Sequence, residues 1–412
     1  NDLSKSSESI TVDESIAEDI LATQADTAVV VGTVSDYLTA KGDAKLYNIN
    51  LPAGVYLQAQ LTTPANADLD YDLYLLDAEG NILTGSDYYT YINGTAGTLP
   101  EALGYITSGD TATYYLYVLA SEGGSVSESF TLDYSVSTAC DSYEIDESVR
   151  QALAFTYGAG GAYIESRNLS SPIDNDWYVI TVPSSRIYDK LKISATTAST
   201  NTCSVEVYQN VASEGYQMKR VGSGNTISVS SGKYYIRVSN AKTMENFDDL
   251  DIQNYKLSIT PILKATGIVI TDLKGSEGLN KVVNYPGYGA HFRTQGSGTL
   301  TVYGVLTATD SSTGVTYAVG GEQINGLYYS PAWEANNTSA NAIRRGTGTT
   351  DSSGKFEIDI SLPPGIGVYS YYGSTSTHYF DICGVSVSPS DDSSISASET
   401  IFHLAYTMYH PF

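Results

Sequence analysis

The 412-residue sequence contains only three cysteines, three methionines, two tryptophans and four histidines. Cys140, Cys203 and Cys383 are too few to staple a disulfide-built scaffold, so the fold has to rest on hydrophobic cores. A Cys140–Cys203 bridge is one reading, and free buried thiols are the other. No apolar run reaches the ~18 residues of a membrane-spanning helix, which excludes helical membrane insertion. The sequence also lacks a G-x-S-x-G elbow, a phosphate-binding glycine loop, H-E-x-x-H and C-x-x-C. His291, His378, His403 and His410 therefore have no zinc spacing to share. Cys383 with His403 would make a nucleophile and base, but Cys383 follows the alternating HYFDI segment and reads as core. Basic residues are scarce: 21 Lys and Arg face 46 Asp and Glu, a formal charge of −25. Such a field repels phosphate backbones, so nucleic acid is excluded as a partner. The first residue is Asn1, and a signal peptide removed upstream is expected.

What the chain has in abundance is tyrosine, 35 residues of it, among many Ser, Thr, Gly and Asn. Tyrosine suits a pleated, half-wet surface, which points to an all-β protein. Four strand-like segments recur in the same order. KLYNINLP (Lys45 to Pro52) returns as DWYVITVP (Asp176 to Pro183), and DLYLLD (Asp72 to Asp77) as SVEVYQ (Ser204 to Gln209). TATYYLYVLA (Thr111 to Ala120) returns as SGKYYIRVSN (Ser231 to Asn240), and SFTLDYSV (Ser129 to Val136) as NYKLSITP (Asn254 to Pro261). Each alternates apolar and polar residues with a period of two, the mark of a half-buried strand. Four matches in register describe a tandem duplication of antiparallel sandwiches of about 120 residues. The boundaries expected are 1–138, 139–263 and 264–412, the last segment remaining β in pattern. Its GKFEIDISLP alternates Phe356, Ile358, Ile360 and Leu362 with Lys355, Glu357, Asp359 and Ser361. The one helix candidate is Asp13 to Gln24, where Ile16, Ile20 and Leu21 fall at helical spacing.

The run D-x-D-W-Y-x-I-x-V-P (Asp174 to Pro183), followed by G-K-Y-Y-I-R-V (Gly232 to Val238) and N-Y-x-L-x-I (Asn254 to Ile259), resembles the bacterial pre-peptidase C-terminal domain. The first copy is similar through LDYDLYLLDAEGN, ATYYLYV and FTLDY, but holds Lys45 and Leu46 where that family has an Asp and an aromatic. The resemblance implies two jelly-roll-like sandwiches. The third region, with VYGVLTA (Val302 to Ala308) and TDSSGKFEIDISLP (Thr350 to Pro363), resembles the transthyretin-like or immunoglobulin-like repeats of bacterial surface proteins. The expected fold is thus all-β, three consecutive antiparallel β-sandwich domains.

Two acidic clusters carry candidate chemistry. Asp68, Asp70 and Asp72 alternate with Leu69, Tyr71, Leu73 and Leu75. They fail as an EF-hand loop, because Leu73 stands where the sharp turn needs glycine. On a strand they share the solvent face, with a calcium site at the strand edge as the alternative. Asp248, Asp249 and Asp251, in an expected loop, carry the same two readings. Aromatic residues supply the remaining candidates: Tyr328, Tyr329 and Trp333 in GLYYSPAWEANN, and Tyr371 beside Tyr369 and Tyr372. Their rings would stack on sugars or a peptide, unless Trp333 packs back as a loop anchor.

These observations lead to a noncatalytic, secreted or cell-surface bacterial protein, a monomer acting as a binding, adhesion or spacer array. Its partner would be an extracellular glycan or protein. No cofactor is required, calcium being the ion that the acidic clusters would take. The alternatives are an accessory or stabilising segment of a secreted peptidase, and a hydrolase whose site is not visible as a motif.

Overall fold

The computed structural model describes residues 8–9, 30–66, 68–87, 89–92, 95–96, 99–138, 140–197, 203–212, 217–223, 225–240, 253–276, 280–285, 289–293, 298–331, 342–364, 367–372, 375–379 and 381–409. The helix candidate at Asp13 to Gln24 lies outside them. The described chain is almost entirely strand and divides into two compact units. The first comprises Asn1–Ser184 with Asp189–Ile262, and the second Ser185–Tyr188 with Leu263–Phe412.

The first unit contains two sandwiches. The strands of the first are β1 (Val30–Asp36), β2 (Ala44–Leu51), β3 (Tyr56–Thr62), β4 (Asp70–Leu76), β5 (Ile82–Ser86), β6 (Glu101–Ile106), β7 (Ala112–Glu122) and β8 (Phe130–Ser137). Its sheets run β2-β7-β4-β5 and β1-β8-β3-β6. The second has β9 (Ala162–Leu169), β10 (Asn175–Val182), β11 (Tyr188–Thr197), β12 (Cys203–Asn210), β13 (Gln217–Ser223), β14 (Thr226–Ser228), β15 (Gly232–Asn240) and β16 (Gln253–Leu263). Its sheets run β10-β15-β12-β13 and β9-β16-β11-β14, the same order shifted by eight strands. Eight strands of each have the order of a jelly roll, and the short segments Glu8–Ser9 and Leu153–Ala154 pair in parallel with β2 and β10. The four repeated sequence segments fall on β2/β10, β4/β12, β7/β15 and β8/β16, topological equivalents in every case.

Period-two alternation explains the packing. Tyr47, Ile49 and Leu51 on β2, and Tyr114, Leu116 and Val118 on β7, point into the first core. Tyr178, Ile180 and Val182 on β10, and Tyr234, Ile236 and Val238 on β15, do the same in the second. The outer face of β10, β12 and β15 is covered as well. Trp177, Tyr208 and Tyr235 are buried there with Met218, against Leu99 of the first sandwich and Val149 of the connector. The segment Tyr89–Ile92, which follows β5, pairs in parallel with β13 and so extends a sheet of the second sandwich. These two contacts bind the sandwiches into one unit.

In the second unit, β17 (Gly267–Gly275), β18 (Gly298–Thr309) and β21 (Lys355–Leu362) form one sheet. β19 (Gln323–Tyr329), β20 (Ile343–Thr349), β22 (Asp381–Pro389) and β23 (Ala397–Tyr409) form the other, in the order β20-β19-β22-β23. Phe356, Ile358, Ile360 and Leu362 face inward from β21, and Lys355, Glu357, Asp359 and Ser361 face solvent, as their alternation predicts. None of the three cysteines is in a disulfide, and Cys383 is buried.

Candidate metal centre

The connector between the two sandwiches, Asp141 to Gln151, carries Glu144, Asp146 and Glu147, while Asp174 immediately precedes β10 and Asp176 is its second residue. Around them the fold makes two local adjustments. A bulge in β9 between Ile164 and Arg167, with Ser166 at φ 64°, shifts the strand register so that Arg167 lies inside the sandwich. On β6, Gly104 leaves room for the connector: a Cβ there would sit 2.7 Å from both Glu147 Cγ and Tyr56 Oη.

The result is a buried knot of carboxylates. Two groups of three converge, Glu144 with Asp146 and Asp176, and Glu144 with Glu147 and Asp174, each set of oxygens lying within 4.8 Å of one another. Glu144 belongs to both. Asp146, Glu147, Asp174 and Asp176 are at most 1% exposed. Arg167, itself fully buried, donates to Asp141 Oδ1 at 2.7 Å, to Asp146 Oδ2, and lies 3.1 Å from Asp176 Oδ2. Its Nε donates to Tyr178 Oη at 2.7 Å. The Tyr178 and Tyr255 hydroxyls are 2.5 Å apart, and Tyr255 donates to Asp176 Oδ2. On the other side Tyr56 Oη donates to Glu144 Oε2 at 2.8 Å and to Glu147 Oε1, which also accepts Gln58 Nε2 at 2.7 Å. The Asn175 amide donates to Glu147 Oε2 at 3.0 Å. Asp174 Oδ2 accepts the Ser170 amide and the Ser170 hydroxyl, the latter at 2.8 Å.

After these bonds are assigned, one oxygen of each of four carboxylates has no donor: Glu144 Oε1, Asp146 Oδ1, Asp174 Oδ1 and Asp176 Oδ1, with Gln58 Oε1 beside them. The charges do not balance either. Six carboxylates (Asp141, Glu144, Asp146, Glu147, Asp174, Asp176) gather here, and only Asp141, Asp146 and Asp176 lie against the single guanidinium of Arg167, leaving a formal excess of five. An uncompensated buried charge costs several kcal/mol, and a domain has only about 5–15 kcal/mol of net stability. Hence the excess must be neutralised by protons or by cations. Without a cation, burial and then the neighbouring Asp174 push the Glu144 carboxyl up to about 8. Burial, followed by their carboxylate neighbours, holds Asp146, Glu147 and Asp176 well above the usual range. Burial also raises Asp174, against the hydrogen bonds from Ser170 that stabilise its anion. Burial opposes the charge on Arg167, yet Asp176 and Asp146 outweigh it and keep the guanidinium protonated.

The structure does not bring the expected acidic residues together in this way. On β4, Leu69, Tyr71, Leu73 and Leu75 point inward as anticipated. Asp68 is exposed, Asp70 half-buried and Asp72 mostly buried, and they form no converging group of ligand oxygens among the described residues. Instead Asp72 accepts long hydrogen bonds from Tyr74 and Ser121, both 3.3 Å. Asp248, Asp249, Asp251 and Trp333 lie outside the described residues. The aromatic reading needs a correction at Tyr328. It sits on β19 rather than in a loop, and its ring is fully buried because β19 directs alternate residues into the core. Its hydroxyl is 2.7 Å from His403 Nδ1 and 3.1 Å from Cys383 Sγ, so Cys383 and His403 meet through a buried tyrosine. Tyr329 is half-buried at the end of the same strand. Tyr371 lies on the strand Gly367–Tyr372, which pairs in parallel with β23.

The carboxylate centre itself was missed by sequence reasoning, although both of its segments attract notice: Y-E-I-D-E-S as the opening of the second copy and D-N-D-W-Y as a family-like motif. The available signal was two acidic pairs placed either side of β9, which closes the distance between them.

No family model matches the chain. It is 36% identical over 74 residues to the uncharacterised protein YlqB of Bacillus subtilis strain 168, a match covering 18% of this chain and 46% of that protein. The chain thus spans about half the length of this curated relative. Similar solved structures include the Aeromonas hydrophila PliG periplasmic inhibitor of g-type lysozyme, at 12% identity over 27% of this chain and 88% of that one. The CUB1-EGF-CUB2 region of human MASP-1/3 is 11% identical over 56% and 99%. The tandem CBM22 domains of Paenibacillus barcinonensis Xyn10C are 10% identical over 58% and 92%. All three superpose with a TM-score of 0.17, too low to assign a shared architecture or activity.

Proposed function

We propose that the protein is a noncatalytic, calcium-binding β-sandwich array of the cell exterior, acting as a binding, adhesion or spacer element. The observation that carries the reading is the buried carboxylate centre, with four donorless carboxylate oxygens and a formal excess of five negative charges. An all-oxygen, carboxylate-rich donor set suits a hard divalent cation, and a set drawn from two separate segments suits the irregular coordination of Ca²⁺ better than the octahedron of Mg²⁺. Glu144, shared by both groups, would bridge two ions. Two divalent cations would offset most of the excess. Four of the carboxylates are almost wholly buried, so the ion serves the fold rather than a substrate. Extracellular modules bind calcium at about 10⁻⁴–10⁻³ M, which matches a protein outside the cell.

Calorimetric titration and thermal melting of the chelated chain test this. At a calcium concentration about 100-fold above Kd, mass action adds about 2.7 kcal/mol, a rise of about 5–10 °C for a unit of this size. Asp174→Asn and Asp176→Asn should each abolish most of that rise. An unchanged melt at about 100 mM calcium, with no titration heat, would sink the proposal.

A further inference from the structure

We infer that the cation centre is a further joint between the two sandwiches of the first unit, beside the apolar cluster at Trp177 and the pairing of Tyr89–Ile92, and the one that makes them melt as a single cooperative body, an inference that rests on the calcium reading above. Its ligands come from the connector (Glu144, Asp146, Glu147) and from the second sandwich (Asp174, Asp176). The first sandwich reaches the same carboxylates directly, through β3. Tyr56 Oη donates to Glu144 and Glu147, and Gln58 Nε2 to Glu147, while the other oxygen of Glu147 holds the amide of Asn175 on β10. One carboxylate therefore bonds both sandwiches at once. Next to it, Asn175 Nδ2 donates to Gln60 Oε1 at 3.2 Å, again from β10 to β3.

The consequence follows from charge. Strip the cations from the centre and its donorless carboxylate oxygens are left buried without a partner. The connector is its least constrained part, because it is not a strand of either sandwich. Moving the connector outward brings Glu144 and Glu147 to water, and the same movement breaks the Tyr56 and Gln58 hydrogen bonds. Loss of the ion and loss of the joint are then one event. Outside the cell the joint would be locked, and where free calcium is scarce it would be released.

Hydrogen exchange and scanning calorimetry on the full chain, in millimolar calcium and in EGTA at pH 7.5, provide the test. In calcium, amides of β3 and β10 should exchange through a common opening, and the two sandwiches should melt together. In EGTA, amides of residues 140–151 should exchange roughly tenfold faster or more, and the melt should split. Gln58→Leu, which removes a first-sandwich donor from Glu147, should split the melt even in calcium. If calcium binds by titration but exchange in residues 140–151 and the number of transitions match in both media, the joint is refuted and the calcium reading stands. If no calcium binds, the calcium reading itself falls.

Discussion

Asp176 and Lys45 occupy the same place in the two sandwiches. Asp176 pairs with Val238 on β15, as Lys45 pairs with Val118 on β7. Arg167 pairs with Tyr255, and Asp36 with Phe130, at the matching positions of β9 and β1. The ion pair has thus been reversed between copies: Arg167 to Asp176 in the second, Asp36 to Lys45 in the first, where Lys45 Nζ lies 2.9 Å from Asp36 Oδ2. In the first copy, among the described residues, one lysine balances one aspartate. In the second, Arg167 is the only side-chain cation paired with the cluster among the described residues. Arg167→Met should cost about 3–5 kcal/mol, because it leaves buried carboxylates unpaired; urea unfolding in saturating calcium would measure it. A loss below about 1 kcal/mol would mean that the carboxylates do not depend on the guanidinium.

Asp72 offers a separate residue-scale prediction. Burial, then Asp70 and Asp87, push its carboxyl up to about 7. A carboxyl whose folded pKa is raised contributes full stability below its unfolded value near 3.9, and that contribution is lost as the pH rises through about 7. Asp72→Asn has no such loss. The variant should match the parent at pH 4 and exceed it at pH 8 by about 1–4 kcal/mol, read as a difference in melting temperature at the two pH values. Equal gains at both would contradict the assignment.

At the scale of elements, the duplicated strands were legible because a half-buried strand writes its two faces into alternate residues. On β7 the inward set Tyr114, Leu116 and Val118 separates from the half-buried set Tyr115 and Tyr117, and β15 repeats the inward set with Tyr234, Ile236 and Val238. Leu116→Ala and Ile236→Ala, at equivalent fully buried positions, should each cost about 2–5 kcal/mol. Denaturant unfolding checks this, and a cost below 1 kcal/mol at either site would contradict its place in a packed core. The same alternation misleads where a third layer covers the outer face. Trp177, Tyr208 and Tyr235 occupy outward positions yet are buried, because Leu99 and Val149 pack over them from distant points in the chain. Tyr328 shows a different limit. It lies next to the end of a strand whose inward positions are Ile324, Gly326 and Tyr328, but the adjoining Tyr, Ser, Pro and Trp give GLYYSPAW the composition of a loop.

For the molecule as a whole, the −25 charge takes on a local meaning. Part of it is concentrated in a buried centre where two sandwiches and their connector meet, and in the proposed reading that part calls for cations. By itself the sequence determined the all-β class, the order of repeated strands and the inward set on most of them, because these depend on residues near one another in the chain. Only the tertiary structure decided which acidic residues act together. Asp68, Asp70 and Asp72 are two apart in sequence and do not converge, whereas Glu144 and Asp176 are 32 apart and do. A strand holds successive same-face side chains roughly 7 Å apart, too far for one ion, while the fold of a connector over a sheet edge can bring oxygens from separate segments within a single coordination shell.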